Sequence, residues 1–219
     1  MPFGFGSKKE AGASSHPAGG PAVPAADSRG PRRVPLHAFT EDSRLEGTVV
    51  IEGRLLEALN LREALAVEDA CWAPADGSAP LDAAPGIEAM DPYDLIVVLA
   101  APDTLAATTD DERLARRVHK VPFDVAIEAP PFRVIGTVQL RPGSDPDSLL
   151  ERSVQMFAAV TGATVTLNGA PIELGSDVDV VLVNRYYMRG VEQVDRKTGR
   201  PHPRFPGQAQ GVDVRPERV

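Results

Sequence analysis

Two clusters of side chains in this sequence carry the types best suited to chemistry. Arg116-Arg117-Val118-His119-Lys120 gathers two guanidiniums and an ammonium, and Arg32-Arg33 makes a second basic pair. Guanidinium forks match phosphate oxygens and stack on planar bases, so Arg116, Arg117 and Lys120 are candidate ligand-binding residues. Tyr186-Tyr187-Met188-Arg189 follows a strongly apolar run. Tyr, Met and Arg are enriched at interface hot spots, so Tyr186, Tyr187, Met188 and Arg189 are candidate partner-binding residues. Each cluster also has a plain structural reading. Thr109-Asp110-Asp111-Glu112 forms a capping box, so the basic residues that follow fall at a helix C-terminus, where the dipole favours cations. The tyrosines equally suit a sheet edge.

Catalytic and metal patterns are missing. The sequence holds no Walker loop, GxGxxG, HExxH, GxSxG or HxE…CxxC pattern. His16, His37, His119 and His202 are scattered, whereas metal sites cluster their ligands at short spacing. Asp145-x-Asp147 opens a helix, and Asp177-x-Asp179 flanks an apolar strand without the glycine and terminal glutamate of a calcium loop. Cys71 is the single cysteine, which excludes an internal disulfide and a CxxC knuckle. No catalytic residue, metal ligand or cofactor is assigned.

The elements that would position these groups are written twice. Arg33-Val34-Pro35-Leu36 is answered by Lys120-Val121-Pro122-Phe123, and Arg44-Leu45-Glu46-Gly47-Thr48-Val49 by Arg133-Val134-Ile135-Gly136-Thr137-Val138. Asp76-Gly77 is answered by Asn168-Gly169, and Tyr93–Val98 by Val178–Val183. Each copy predicts a β-hairpin, a short helix and three strands. In the second copy Asp145 is an N-cap with Pro146 at the first helical position. Leu149, Leu150, Val154, Phe157 and Val160 then recur at helical spacing, and Gly162 ends the helix. Asn168-Gly169 between β-branched runs is a two-residue hairpin signal. Val178–Val183 reads as a central strand buried on both faces. Such a module of roughly 65 residues is marginal alone. The expected fold is therefore α+β and β-dominated, with the duplicated module forming a pseudo-twofold sandwich or barrel-like pair.

The expected organisation is a disordered arm over 1–32, a first repeat over 33–106, a linker helix over 107–120, a second repeat over 121–195 and a disordered tail over 196–219. Both ends are rich in Gly, Pro, Ser and Ala without hydrophobic periodicity. Residues 1–35 and 195–219 each carry net charge +3, while the body between them, 36–194, has 12 basic against 26 acidic residues, net −14. An acidic body repels phosphate backbones, which disfavours nucleic-acid binding. No apolar run approaches 18 residues and no signal-peptide core is visible, so membrane insertion is not expected and a cytoplasmic location is.

The first copy, with Arg44-Leu45-Glu46-Gly47, Arg54-Leu55-Leu56-Glu57-Ala58-Leu59-Asn60, Asp76-Gly77 and an apolar closing strand, resembles an uncharacterised bacterial family of small β-rich domains. The match covers 38–100 and, more loosely, 125–185, where Leu149-Leu150-Glu151-Arg152-Ser153 lacks the asparagine. This resemblance implies a fold and a bacterial origin, with no activity to transfer. Gly47, Leu59-Asn60 and Leu95–Leu99 are also similar to Sm-like barrels, which bind RNA, though here the body is acidic. Arg32-Arg33-Val34-Pro35 and Arg116–Pro122 resemble the opening motif of PilZ domains, which bind cyclic dinucleotides; the second Asp/Asn-x-Ser-x-x-Gly turn of that family is absent from 45–51 and 134–140. The leading expectation is a non-enzymatic adaptor, regulator or assembly protein acting through a protein partner or homodimer. A small-ligand or cyclic-dinucleotide sensor is the first alternative. An enzyme with a site between the repeats is the second.

Overall fold

Alternation of apolar and polar residues sets the first hairpin. In a computed structural model, which describes residues 30–101, 104, 120–152, 155–175 and 178–201, β1 spans Arg32–Phe39 and β2 spans Ser43–Ile51. Val34, Leu36 and Ala38 face inward from β1, as do Leu45, Val49 and Ile51 from β2. Thr40 closes the turn by donating its amide to the Ser43 carbonyl at 2.9 Å. Helix α1, Leu55–Asn60, follows. It is too short to persist alone, and it is held because Leu55, Ala58 and Leu59 are buried. Next come β3 (Leu65–Pro74), the two-residue strands β4 (Asp82–Ala83) and β5 (Ala89–Met90), and β6 (Val97–Ala100).

The second half opens with the hairpin of β7 (Val121–Ala129) and β8 (Phe132–Leu140), joined at Pro130-Pro131 through a cis peptide bond. It continues with β9 (Phe157–Leu167), β10 (Ala170–Pro171), β11 (Val180–Asn184) and β12 (Gly190–Gln193). Asn168 and Gly169, at φ +49° and +85°, link β9 to β10. Two successive positive φ values are what a type I′ hairpin turn requires, and Asn-Gly supplies them at least cost.

All pairings among the described strands are antiparallel, in the order β12-β7-β8-β9-β11-β6-β1-β2-β3-β4, with β10 on β9 and β5 on β3. The chain is thus β-dominated, with one short α-helix among the described residues. β6 and β11 lie side by side at the middle, Val98 opposite Leu182 and Leu99 opposite Val181. Every residue of both strands is buried. Val98, Ala100, Val180 and Leu182 pack into the core covered by β1, β2, β3 and α1. Their neighbours Val97, Leu99, Val181 and Val183 pack into the core of β7, β8 and β9. The two strands are therefore a wall with a hydrophobic core on each side, because successive side chains of a strand point to opposite faces. Phe39 crosses to the second core, where its ring meets that of Phe132 edge-on at 5.5 Å.

Two glycines set the bends. β2 and β8 each carry a register shift, between Glu46 and Thr48 and between Ile135 and Thr137. A Cβ on Gly47 would stand 2.7 Å from Val67 Cγ1, and a Cβ on Gly136 would stand 2.7 Å from Val160 Cγ1. Opposite these bulges Asp69 and Gly162 both adopt φ +53°.

The helix expected from Leu149 through Val160 is not formed. Asp145 does cap, accepting the Asp147 amide at 3.0 Å, but the turn it starts is a 3-10 turn over Pro146–Leu150. Phe157 and Val160 belong instead to β9, which runs straight through Gly162, the expected helix stop. The reason is pairing on both edges. β9 bonds to β8 and to β11, and Phe157 enters the first core while Ala158 and Val160 enter the second. A short apolar run with β-branched members goes where tertiary contacts place it. The expected linker helix over 107–120 lies outside the described residues, apart from Lys120. So do residues 1–29 of the expected N-terminal arm and residues 202–219 of the tail. Within the expected tail, Pro201 bridges to Val194, and the Asp195 carboxylate accepts the amides of Lys197 and Thr198, both at 2.9 Å.

Candidate functional site

Where β1 and β2 face the β9–β10 hairpin, the structure leaves a cavity of about 620 Å³. Its floor is made by strand register. His37 lies opposite Glu46 on β2 and opposite Leu99 on β6, and Phe39 lies opposite Arg44. These residues share one face because they are two apart on each strand. The far wall is Leu167, Asn168 and Pro171, continued by Ile172, Glu173 and Val178. The site therefore takes residues from both halves of the chain, and 620 Å³ is within the range that holds a small organic molecule.

Its polar groups are few and specific. His37 Nδ1 is 3.6 Å from Glu46 Oε1, with both side chains partly exposed. Arg44 is half-buried, and its Nε is shut from solvent without a hydrogen-bond acceptor. Arg44 supplies a guanidinium to the lining, whose forked donors match the oxygens of an anionic group. Asp76, on the turn after β3, is held below the usual carboxylate range by hydrogen bonds from the Ser78 side chain and amide. Glu173 adds a third carboxylate. The described lining thus combines one guanidinium, one imidazole, one carboxamide and three carboxylates with an apolar remainder.

The described residues among those expected to bind ligand or partner lie elsewhere. Arg116 and Arg117 fall outside the described residues, and Lys120 is exposed just before β7. Of the group after β11, Arg189 is exposed, while Tyr186 and Tyr187 are half-buried. Met188 is 2 % exposed and packs in the second core, so it presents no surface to a partner. Burial, reinforced by the charges of Asp94 and Glu41, pushes the Tyr187 phenol above its usual value. Among the described residues of these two groups, none lines the cavity. The sequence reading missed His37, Arg44, Glu46, Asp76 and Glu173 as a group. The available signal was local: in the β1–β2 hairpin, His37, Arg44 and Glu46 share the face that carries Phe39, a polar set on the side of an aromatic core residue.

Comparison of the chain with protein-family models, with curated proteins and with solved structures finds no match.

Proposed function

We propose that this protein is a small-molecule binding module whose site is the cavity between the two halves of the chain. The observation that carries this reading is a cavity of about 620 Å³ that brings the Arg44 guanidinium and the Glu46, Asp76 and Glu173 carboxylates together with an apolar wall. The ligand needs an oxygen acceptor for Arg44 and an apolar body for Leu99, Leu167 and Ile172. Glu46, Asp76 and Glu173 favour a cationic group beside that acceptor. Arg44 and Glu46 are two residues apart on one strand, about 6.6 Å between Cα atoms, so one short zwitterion can reach both. An amino acid with an apolar side chain meets all three demands.

The test is thermal unfolding of the full chain with leucine and with phenylalanine. A ligand at one hundred times its Kd stabilises by about 2.7 kcal/mol, or roughly 5 °C or more for a chain of this size. The shift is expected to vanish in Arg44→Met. If neither amino acid raises the melting temperature, or if Arg44→Met responds as the native chain does, the assignment fails. A second reading, an adaptor working through protein contacts or a homodimer, is favoured by Arg189 and the half-buried Tyr186 and Tyr187 beyond β11; alanine at Arg189 and Tyr186 would then abolish association in sedimentation.

We also infer that the two halves descend from one duplicated module. Strand order supports it, since β12-β7-β8-β9-β10 repeats the neighbour sequence β6-β1-β2-β3-β4. Register supports it residue by residue. Leu36 pairs with Gly47 as Val125 pairs with Gly136, and Thr48 pairs with Glu68 as Thr137 pairs with Thr161. His37 pairs with Leu99 as Ala126 pairs with Glu192. On this reading β12 is the counterpart of β6, and β11 is the segment that joins the copies. A variant with the 121–201 segment exchanged for a second copy of 32–101 would lose folding if the halves were unrelated.

A further inference from the structure

A second cluster lies away from the cavity, around Tyr186. The guanidinium carbon of Arg62 is 6.0 Å from the centre of the Tyr186 ring, and that of Arg152 is 5.7 Å from the same centre. Arg62 Nη2 also reaches the Arg152 carbonyl at 3.5 Å, which draws the head of one arginine onto the backbone of the other. A third guanidinium serves the same segment: Arg185 Nη1 donates to the carbonyls of Ser148 and Glu151, at 3.4 and 3.1 Å. Arg185 is substantially buried, its Nε has no hydrogen-bond acceptor, and desolvation lowers its pKa against the opposing pull of Glu151. Among the described residues, neither Arg62 nor Arg152 is paired with a carboxylate. Arg62 and Arg152 thus meet one aromatic ring on a body of net charge −14, with Arg185 bound to the segment just before Arg152 and subject to the charge of Glu151. An anion set within reach of both guanidiniums would gain attraction from each. Arg62 occupies left-handed backbone at φ +63°, uncommon for a residue other than Gly or Asn.

Beside the arginines is an aromatic platform. Tyr93 meets Tyr186 edge-on at 5.4 Å and is 40 % exposed. Asp91, at the start of the 3-10 turn Pro92–Asp94, fixes the backbone there by accepting the Tyr93 amide at 2.9 Å.

We propose that Arg62, Arg152 and Tyr93 form a binding site for a small phosphate monoester, its dianion bridged by the two guanidiniums and its organic part lying on the Tyr93 ring. Two guanidiniums match a dianion in charge, and their forked donors match phosphate oxygens in geometry. Tyr186 serves as the positioning residue, with both guanidiniums within cation–π reach of its ring. No residue of this site lines the cavity, so the two assignments stand or fall separately.

The test is calorimetric titration of the full chain with phenyl phosphate, with phenyl sulfate as a monoanion of the same shape and inorganic phosphate as the ion without a ring. Phenyl phosphate is expected to bind about tenfold more tightly than either. Arg62→Gln and Arg152→Gln are each expected to lose about tenfold, the worth of one charge-assisted hydrogen bond, and the double variant to lose binding altogether. Equal affinity for sulfate and phosphate esters, no heat at millimolar phenyl phosphate, or unchanged binding in the double variant would each overturn the assignment. Should a variant melt at a lower temperature than the native chain, the sulfate comparison on the native chain decides the matter alone.

Discussion

Replacing Asn60 tests how the two halves are fastened. Asn60 is the last residue of α1, yet its side-chain oxygen accepts the backbone amides of Met156 and Phe157, at 2.7 and 2.9 Å, at the entry to β9. Its amide nitrogen donates back to the Leu56 carbonyl at 2.7 Å, which fixes the rotamer. Met156 and Phe157 are both 0 % exposed, so their N–H groups have no easy route to water. Asn60→Leu keeps the branched side-chain shape and removes the acceptor. Leaving one buried donor unsatisfied costs about 1–3 kcal/mol, so two orphaned amides place the loss at roughly 2–5 kcal/mol after local relaxation. For a chain of this length that lowers the melting temperature by roughly 5–15 °C. Asn60→Ala should cost less, because the vacated space can admit a water to serve the same amides. Urea unfolding gives the free energies, and native-state hydrogen exchange gives the location. The Met156 and Phe157 amides are expected to lose protection first, while those of the β7–β8 hairpin keep theirs. If Asn60→Leu costs under about 1 kcal/mol, or if the two amides stay protected, the fastening described here is wrong.

The bulge glycines give a graded pair. Gly136→Ala places a Cβ 2.7 Å from Val160 Cγ1 and 2.9 Å from the Thr161 carbonyl oxygen, whereas Gly47→Ala meets backbone no closer than 3.2 Å. Overpacking should cost about 1–3 kcal/mol at Gly136 and less at Gly47, as read by urea titration of both variants. At Gly169, whose φ is +85°, alanine is expected to destabilise by about 1 kcal/mol, while Asn168→Gly should stay within a few tenths of native. The Tyr187 phenol ionises above its usual value in the folded chain. Folding therefore retains a proton that the unfolded chain has released, so the associated stability is full below the ordinary phenol pKa of about 10 and is lost as pH rises through the higher folded value. Tyr187→Phe should flatten that alkaline decline, measured by thermal melts from pH 9 upward.

What the sequence disclosed follows a physical division. Asn168-Gly169 was legible because the two positive φ values are a local requirement. The run around Val180–Val183 was legible because a strand buried on both faces needs no alternation. The stretch from Leu149 to Val160 misled because its apolar spacing suits a helix, and only the hydrogen bonds from β8 and β11 decide for a strand. Those partners lie outside any local window. The cavity was hidden for the same reason. His37, Arg44 and Glu46 become neighbours through the β1–β2 register, but Leu167 and Ile172 reach them only through the order of strands across the whole sheet. The Arg62 and Arg152 pair, ninety positions apart, is brought together by α1 resting on the start of β9.

The wall of β6 and β11 makes the molecule thermodynamically indivisible. A side chain at Val98 or Leu182 belongs to one core while its neighbour at Leu99 or Val181 belongs to the other, so neither core can melt and leave the wall in place for its partner. Unfolding should therefore be a single transition even though two hydrophobic centres exist. A fragment ending after β6 would expose Val97 and Leu99 along a strand edge lacking β11, and would aggregate or pair with another chain to cover it. The same geometry binds the sequence at these positions. A substitution that suits one core has its main-chain consequences felt in the other, so change along the wall must satisfy two packings at once.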